Sequence, residues 1–216
     1  MSVSGIPGKI WNWIKKSYKE SLINLWCIYL VYGLVTNLSC QCSFCLDVYS
    51  HIMLDKFNYI VPNLAMCFLV LGVALGLCRI HSGFRWSLLG GNNIGLLPLQ
   101  KKYFGPIFLL LLILNMPTIT FWEETTFRLG LKGWIDGTLW SIVFGLCHSL
   151  IGVPIGFGIA MIILGLWLTW CYLGADPVLS IYYSTLNHTS YNLIGCMIIG
   201  VHLLYSYLKT PKSNQN

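Results

Sequence analysis

Charged residues are confined to short intervals between long apolar stretches. Asp, Glu, Lys and Arg are absent from residues 21–46, 57–78, 103–122, 137–175 and 177–208. Each stretch reaches or exceeds the roughly 20 residues that an α-helix needs to cross the hydrocarbon layer of a bilayer. The pattern predicts a first span over residues 22–38, a loop as far as Phe57 and a second span over residues 58–78. Residues 79–102 read as a loop: Gly90-Gly91-Asn92-Asn93-Ile94-Gly95 lacks the Gly-Lys-Ser/Thr ending of a phosphate-binding loop. Gly72 and Gly76 make a small-xxx-small pair suited to close helix packing.

The third stretch is interrupted by Asn115-Met116-Pro117, where proline removes a backbone donor and should kink or end a helix. A break there, or a re-entrant arrangement, is expected. One straight helix from the cytoplasmic face would carry Glu123 to the far face. His148, late in the returning helix, would then lie near the face from which the first had started. The expected fold is all-α, a polytopic transmembrane bundle of about six to eight membrane helices. Residues 1–20 form a basic interfacial helix, 21–102 two transmembrane helices and their loop, 103–208 a transmembrane core and 209–216 a basic polar tail.

Composition agrees with this reading. The 216 residues are 56% hydrophobic and 9% charged, against a charged share of about a quarter in soluble domains. The net charge of +6 could suggest nucleic acid in a soluble protein. Here the basic residues stand beside the spans, so the expected partner is the lipid bilayer and no nucleic acid. Lys9, Lys15, Lys16 and Lys19 precede the first span, Arg79, Arg85, Lys101 and Lys102 follow the second, and Lys209 and Lys212 close the chain. The positive-inside rule assigns all three groups, and so the N-terminus, to the cytoplasmic side. Trp11, Ile14 and Tyr18 lie at helical spacing among the first lysines, as in an interfacial helix rather than a cleaved signal. Most of the nine cysteines sit inside apolar runs as small hydrophobes. Cys40, Cys42 and Cys45, with His51 nearby, could hold zinc or form a disulfide, although their spacing fits no standard zinc pattern.

The candidate chemistry starts at Glu123 and Glu124, which directly follow an apolar run. A carboxylate within a membrane domain is costly unless paired or wetted, and so marks a functional position by default. On a helix Glu124 and Arg128 share a face in the favourable acid-first order, whereas Glu123 is turned about 100° away. The expected division is Glu124 as the structural partner of Arg128, with Glu123 free for general acid-base work. Two histidines join them in otherwise uncharged helices: His148, four residues after Phe144, and His188, four before Asn192. His51, His81 and His202 read as loop or interfacial residues.

At this point the sequence resembles a family. Glu123-Glu124-Thr125-Thr126-Phe127-Arg128 resembles an EExxxR motif, Phe144 to His148 an FxxxH motif and His188 to Asn192 an HxxxN motif. The three occur in the order seen in the CPBP intramembrane endopeptidases, which include CAAX prenyl proteases and bacteriocin-processing, Abi-like proteins. The resemblance covers about residues 117–195 and departs at Leu129, where members commonly have glycine. It implies a helical core with an intramembrane polar cavity and a glutamate-based hydrolysis. Glu123 with His148 would activate water, His188 and Asn192 would stabilise the oxyanion, and Glu124, Arg128 and Phe144 would support them. The implied substrate is a membrane-associated peptide or protein, prenylated ones included, and no cofactor is expected.

Three alternatives compete with this reading. Zinc could be ligated by Glu123, His148 and His188, although HExxH is absent and the ligands would come from three helices. A non-catalytic membrane protein of immunity type could use the same polar cluster to bind a peptide. A proton-coupled transporter could use the carboxylates as a relay, although no internal repeat is evident.

Overall fold

The computed structural model describes residues 31–32, 42–85, 104–150 and 153–209. The expected N-terminal interfacial helix, most of the first span, Cys40, the glycine-rich stretch at 90–95 and the end of the basic tail lie outside them. All regular structure among the described residues is helical: α1 (Cys42–Leu54), α2 (Lys56–Ile80), a 3-10 turn (Ser82–Arg85), α3 (Phe104–Arg128), α4 (Trp134–Leu150), α5 (Ile155–Leu173) and α6 (Ser180–Lys209). Three segments, Lys56–Ile80, Gly105–Arg128 and Ile155–Leu173, are long and apolar enough to cross a membrane, which suggests a membrane protein. Phe68, Ile107, Leu110 and Val201 stand exposed on the helix surfaces, as side chains facing lipid would.

Two expectations about local structure are corrected. Residues 42–54, expected within a loop, form α1, because Cys45, Val48 and Ile52 recur at helical spacing and are buried. Val48 and Ile52 pack with Tyr59 and Leu186, and Cys45 Sγ lies 3.4 Å from Thr118 Oγ1. Cys45 therefore faces α3, whereas His51 on the same helix is exposed and meets Tyr182.

The second correction concerns α3, which runs unbroken through Pro117. Proline there removes one hydrogen bond and leaves the carbonyl of Ile113 without its helical donor. The Tyr49 hydroxyl of α1 donates to that carbonyl instead. Downstream, Thr120 Oγ1 donates to the carbonyls of Met116 at 2.9 Å and Pro117 at 3.1 Å. The backbone group that proline orphans thus has a partner, and the helix continues.

Helix α6 is antiparallel to α3. Ser184 and His188 meet Glu124, Thr189 meets Thr120, and Ile199 and Leu203 pack with the Phe108 cluster. Helix α2 runs parallel to α6, since Asn63 bonds Asn187 and Cys67 bonds the carbonyl of Tyr191. The tightest approach joins α4 to α5. A Cβ on Gly137 would lie 2.3 Å from Thr169, one on Gly145 2.5 Å from the carbonyl oxygen of Gly158, and one on Gly165 2.9 Å from Ser141. Gly137, Ser141, Gly145 and Ser149 recur every fourth residue, a small-residue stripe that lets the two backbones nearly touch. The expected packing pair, Gly72 and Gly76, instead faces open space among the described residues.

Candidate active site

Glu123, Glu124 and Arg128 occupy the last two turns of α3. The i, i+4 spacing places Arg128 Nη1 2.8 Å from Glu124 Oε1, and both side chains are fully buried. Arg128 Nη2 also approaches the carbonyl of Gly165 at 3.4 Å. That carbonyl is reachable because α5 carries no side chain at this position. The guanidinium carbon lies 4.7 Å from the centre of the Phe144 ring, within cation–π range.

The second oxygen of Glu124 accepts a hydrogen bond from Ser184. Ser184 was missed as a site residue, although it stands four residues before His188 and so shares its helical face. His188 Nδ1 lies 2.7 Å from Glu124 Oε1. A carboxylate can only accept, so Nδ1–H donates and Nε2 is turned to the other side. There Nε2 lies 3.4 Å from Glu123 Oε2, an approach that is favourable when one proton lies between them. The glutamates differ in access: the Glu123 side chain is 34% exposed and that of Glu124 0%.

The expected neighbour of Glu123 was His148, but the histidine beside it is His188. Phe127 packs against both Trp140 and Phe144, so Phe144 takes the level of Arg128 and His148, one turn along antiparallel α4, that of Glu124. His148 makes no ion pair among the described residues. Its Nδ1–H donates to the Phe144 carbonyl at 2.8 Å, which leaves Nε2 with a free lone pair. The Phe144 ring packs edge-on against both histidines, with centroids 4.7 Å from His148 and 5.7 Å from His188. Asn192 is half-buried one turn beyond His188.

A second polar node was not anticipated. The fully buried Asn63 donates to Asn187 Oδ1 at 3.0 Å and to the Tyr59 carbonyl at 2.7 Å, and it accepts from Trp167 Nε1 at 3.2 Å. It ties α2, α5 and α6 together beside His188. Among the described residues no three His, Cys, Asp or Glu side chains are grouped to hold a metal ion. Glu123, Glu124, Arg128, Phe144 and His188, from three helices, therefore form one charged cluster that is closed on the Glu124 side and partly open at Glu123. No family model matches the chain, and no curated protein or solved structure matches it.

Proposed function

We propose that the chain is an intramembrane endopeptidase of the CPBP type, hydrolysing a peptide bond in a membrane-associated protein or peptide with water activated at Glu123. The observation that carries this reading is the meeting of residues from all three short motifs in one buried cluster, in which Glu123 alone of the ionic residues keeps partial exposure. The protein is then a multi-pass bundle of six to eight spans with a polar cavity at this cluster and a cytoplasmic N-terminus.

The chemistry follows from the contacts. Water held on Glu123 attacks the scissile carbonyl carbon, its proton passes to the carboxylate, and the carbonyl π electrons move to oxygen. His188, oriented by Glu124 through Nδ1–H, shares the proton taken up at Glu123 through Nε2. The Asn192 amide is the oxyanion donor, and the free Nε2 of His148 is a second acceptor for the attacking water. Collapse of the tetrahedral intermediate expels the amine, which leaves with the proton. Arg128 fixes Glu124 and, through it, the tautomer of His188.

A binding role is the second reading, because Glu124, Arg128 and His188 also form a buried ionic set of the kind that holds helices together. Comparing membranes from cells carrying the native protein or Glu123→Gln separates the two. The peptidase reading requires uncleaved precursors in the variant at unchanged protein level, with cleavage by the purified native protein persisting in chelator. Identical membrane proteomes and full biological function of the variant would sink it. Activity lost to chelator and restored by zinc would move the mechanism to a metal.

A further inference from the structure

The cluster is not at the middle of the bundle. At 1.5 Å per residue, Glu123 lies about 28 Å along α3 from Phe104 and about 8 Å from Arg128 at the other end. The hydrocarbon layer is about 30 Å thick, so a spanning α3 puts the site close to one interface. The helix directions identify that end. The α3 C-terminus, the α4 N-terminus, the α5 C-terminus and the α6 N-terminus share it, and α2 begins there because it is parallel to α6. Trp122, Trp134, Trp140 and Trp170 are exposed in the helix turns nearest this end. Exposed tryptophan is characteristic of the membrane–water interface.

Cationic residues divide unequally between the two ends. Arg79, Arg85, Lys101, Lys102, Lys209 and Lys212 adjoin the ends of α2 and α6 and the start of α3 in sequence. Among the described residues the site end carries Lys56 and Lys132, besides Arg128, which is held in its buried ion pair. Counted by sequence beside the ends of the described helices, six against two is the asymmetry that fixes orientation, the richer end remaining cytoplasmic.

We propose that the Glu123 site opens at the non-cytoplasmic interface and that its substrate is a membrane-anchored segment presented from that side. The substrate clause rests on the peptidase reading, whereas the orientation stands without it. A prenylated tail arriving from the cytoplasm would meet the basic end, a membrane thickness away from Glu123. Water and an extended peptide would reach the site past the loops at 129–133 and 174–179, where Leu129 and Val178 are exposed.

The test uses the full chain in sealed vesicles with the cytoplasmic face outward and a membrane-impermeant maleimide, scored above the label taken by the unsubstituted protein. Ser82→Cys, at the basic end, should label at once. Val178→Cys, at the site end, should label only after permeabilisation. The reverse pattern overturns the orientation, and labelling requires no cleavage, so it fails or succeeds apart from the peptidase reading. Where precursors accumulate with Glu123→Gln, protease added to the same vesicles should remove their uncleaved segment only after permeabilisation. Removal from sealed vesicles would overturn the proposed substrate side even if the labelling held.

Discussion

Arg128→Met tests how the cluster is held. The native guanidinium is 1% exposed, bonds Glu124 at 2.8 Å and the Gly165 carbonyl at 3.4 Å, and packs on Phe144. Methionine keeps much of the apolar stem but leaves Glu124, itself 0% exposed, with only Ser184 and His188. Removing one member of a buried pair costs about 3–5 kcal/mol, mostly because the other charge stays buried without compensation. Against a total stability of about 5–15 kcal/mol, this should sharply reduce the folded protein recovered. Glu124→Gln removes the stranded charge, so in the double variant much of the loss should return, with a coupling of about 1–3 kcal/mol. Unfolding of the purified proteins in mixed micelles of rising SDS content measures all four corners of the cycle. A loss below about 1 kcal/mol for Arg128→Met, or two single losses that simply add, would refute the claim that this pair is an energetic unit.

Three further outcomes are expected. Gly145→Ala should destabilise by about 1–3 kcal/mol through overpacking against α5, whereas Gly72→Ala, whose Cβ meets nothing within 4 Å, should gain up to about 1 kcal/mol of helix propensity; opposite signs in the same unfolding assay check this. Tyr49→Phe should cost about 1–3 kcal/mol by leaving the Ile113 carbonyl unpaired, and less in a Pro117→Ala background, where a backbone N–H is restored. Asn192→Ala should lower the cleavage rate by a factor of about 100–1000 with the unfolding transition unmoved, as single-turnover assays on an accumulated precursor would record.

The sequence was most legible where one helix contains the whole argument. The uncharged stretch at 58–78 became α2 at Lys56–Ile80, and the spacing of Glu124 and Arg128 alone predicts their ion pair. Features that depend on a distant segment were hidden. Pro117 reads as a break until Tyr49, 64 residues before Ile113, is seen to donate to the orphaned carbonyl. The cysteine-rich segment reads as a loop because Cys, Ser and His mask the buried spacing of Cys45, Val48 and Ile52. The stripe of Gly137, Ser141, Gly145 and Ser149 does have a local period of four, but it lies within a long apolar run that drew no attention to it.

The choice between His148 and His188 could not be made from spacing, since both lie four residues from a motif partner on an uncharged helix. What brings His188 to both glutamates is the antiparallel packing of α6 on α3, which the spacing within either helix does not give. That contact adds to the expected pairing of the glutamates. Glu124 is the partner of Arg128, but it also receives the Nδ1–H of His188, whose other nitrogen faces Glu123. Arg128, Glu124, His188 and Glu123 form one chain of contacts running from the buried interior to the partly exposed carboxylate. A structural pair and a free base would be separable devices. In this arrangement the pair sets which histidine nitrogen carries the proton, and therefore which one is turned to Glu123.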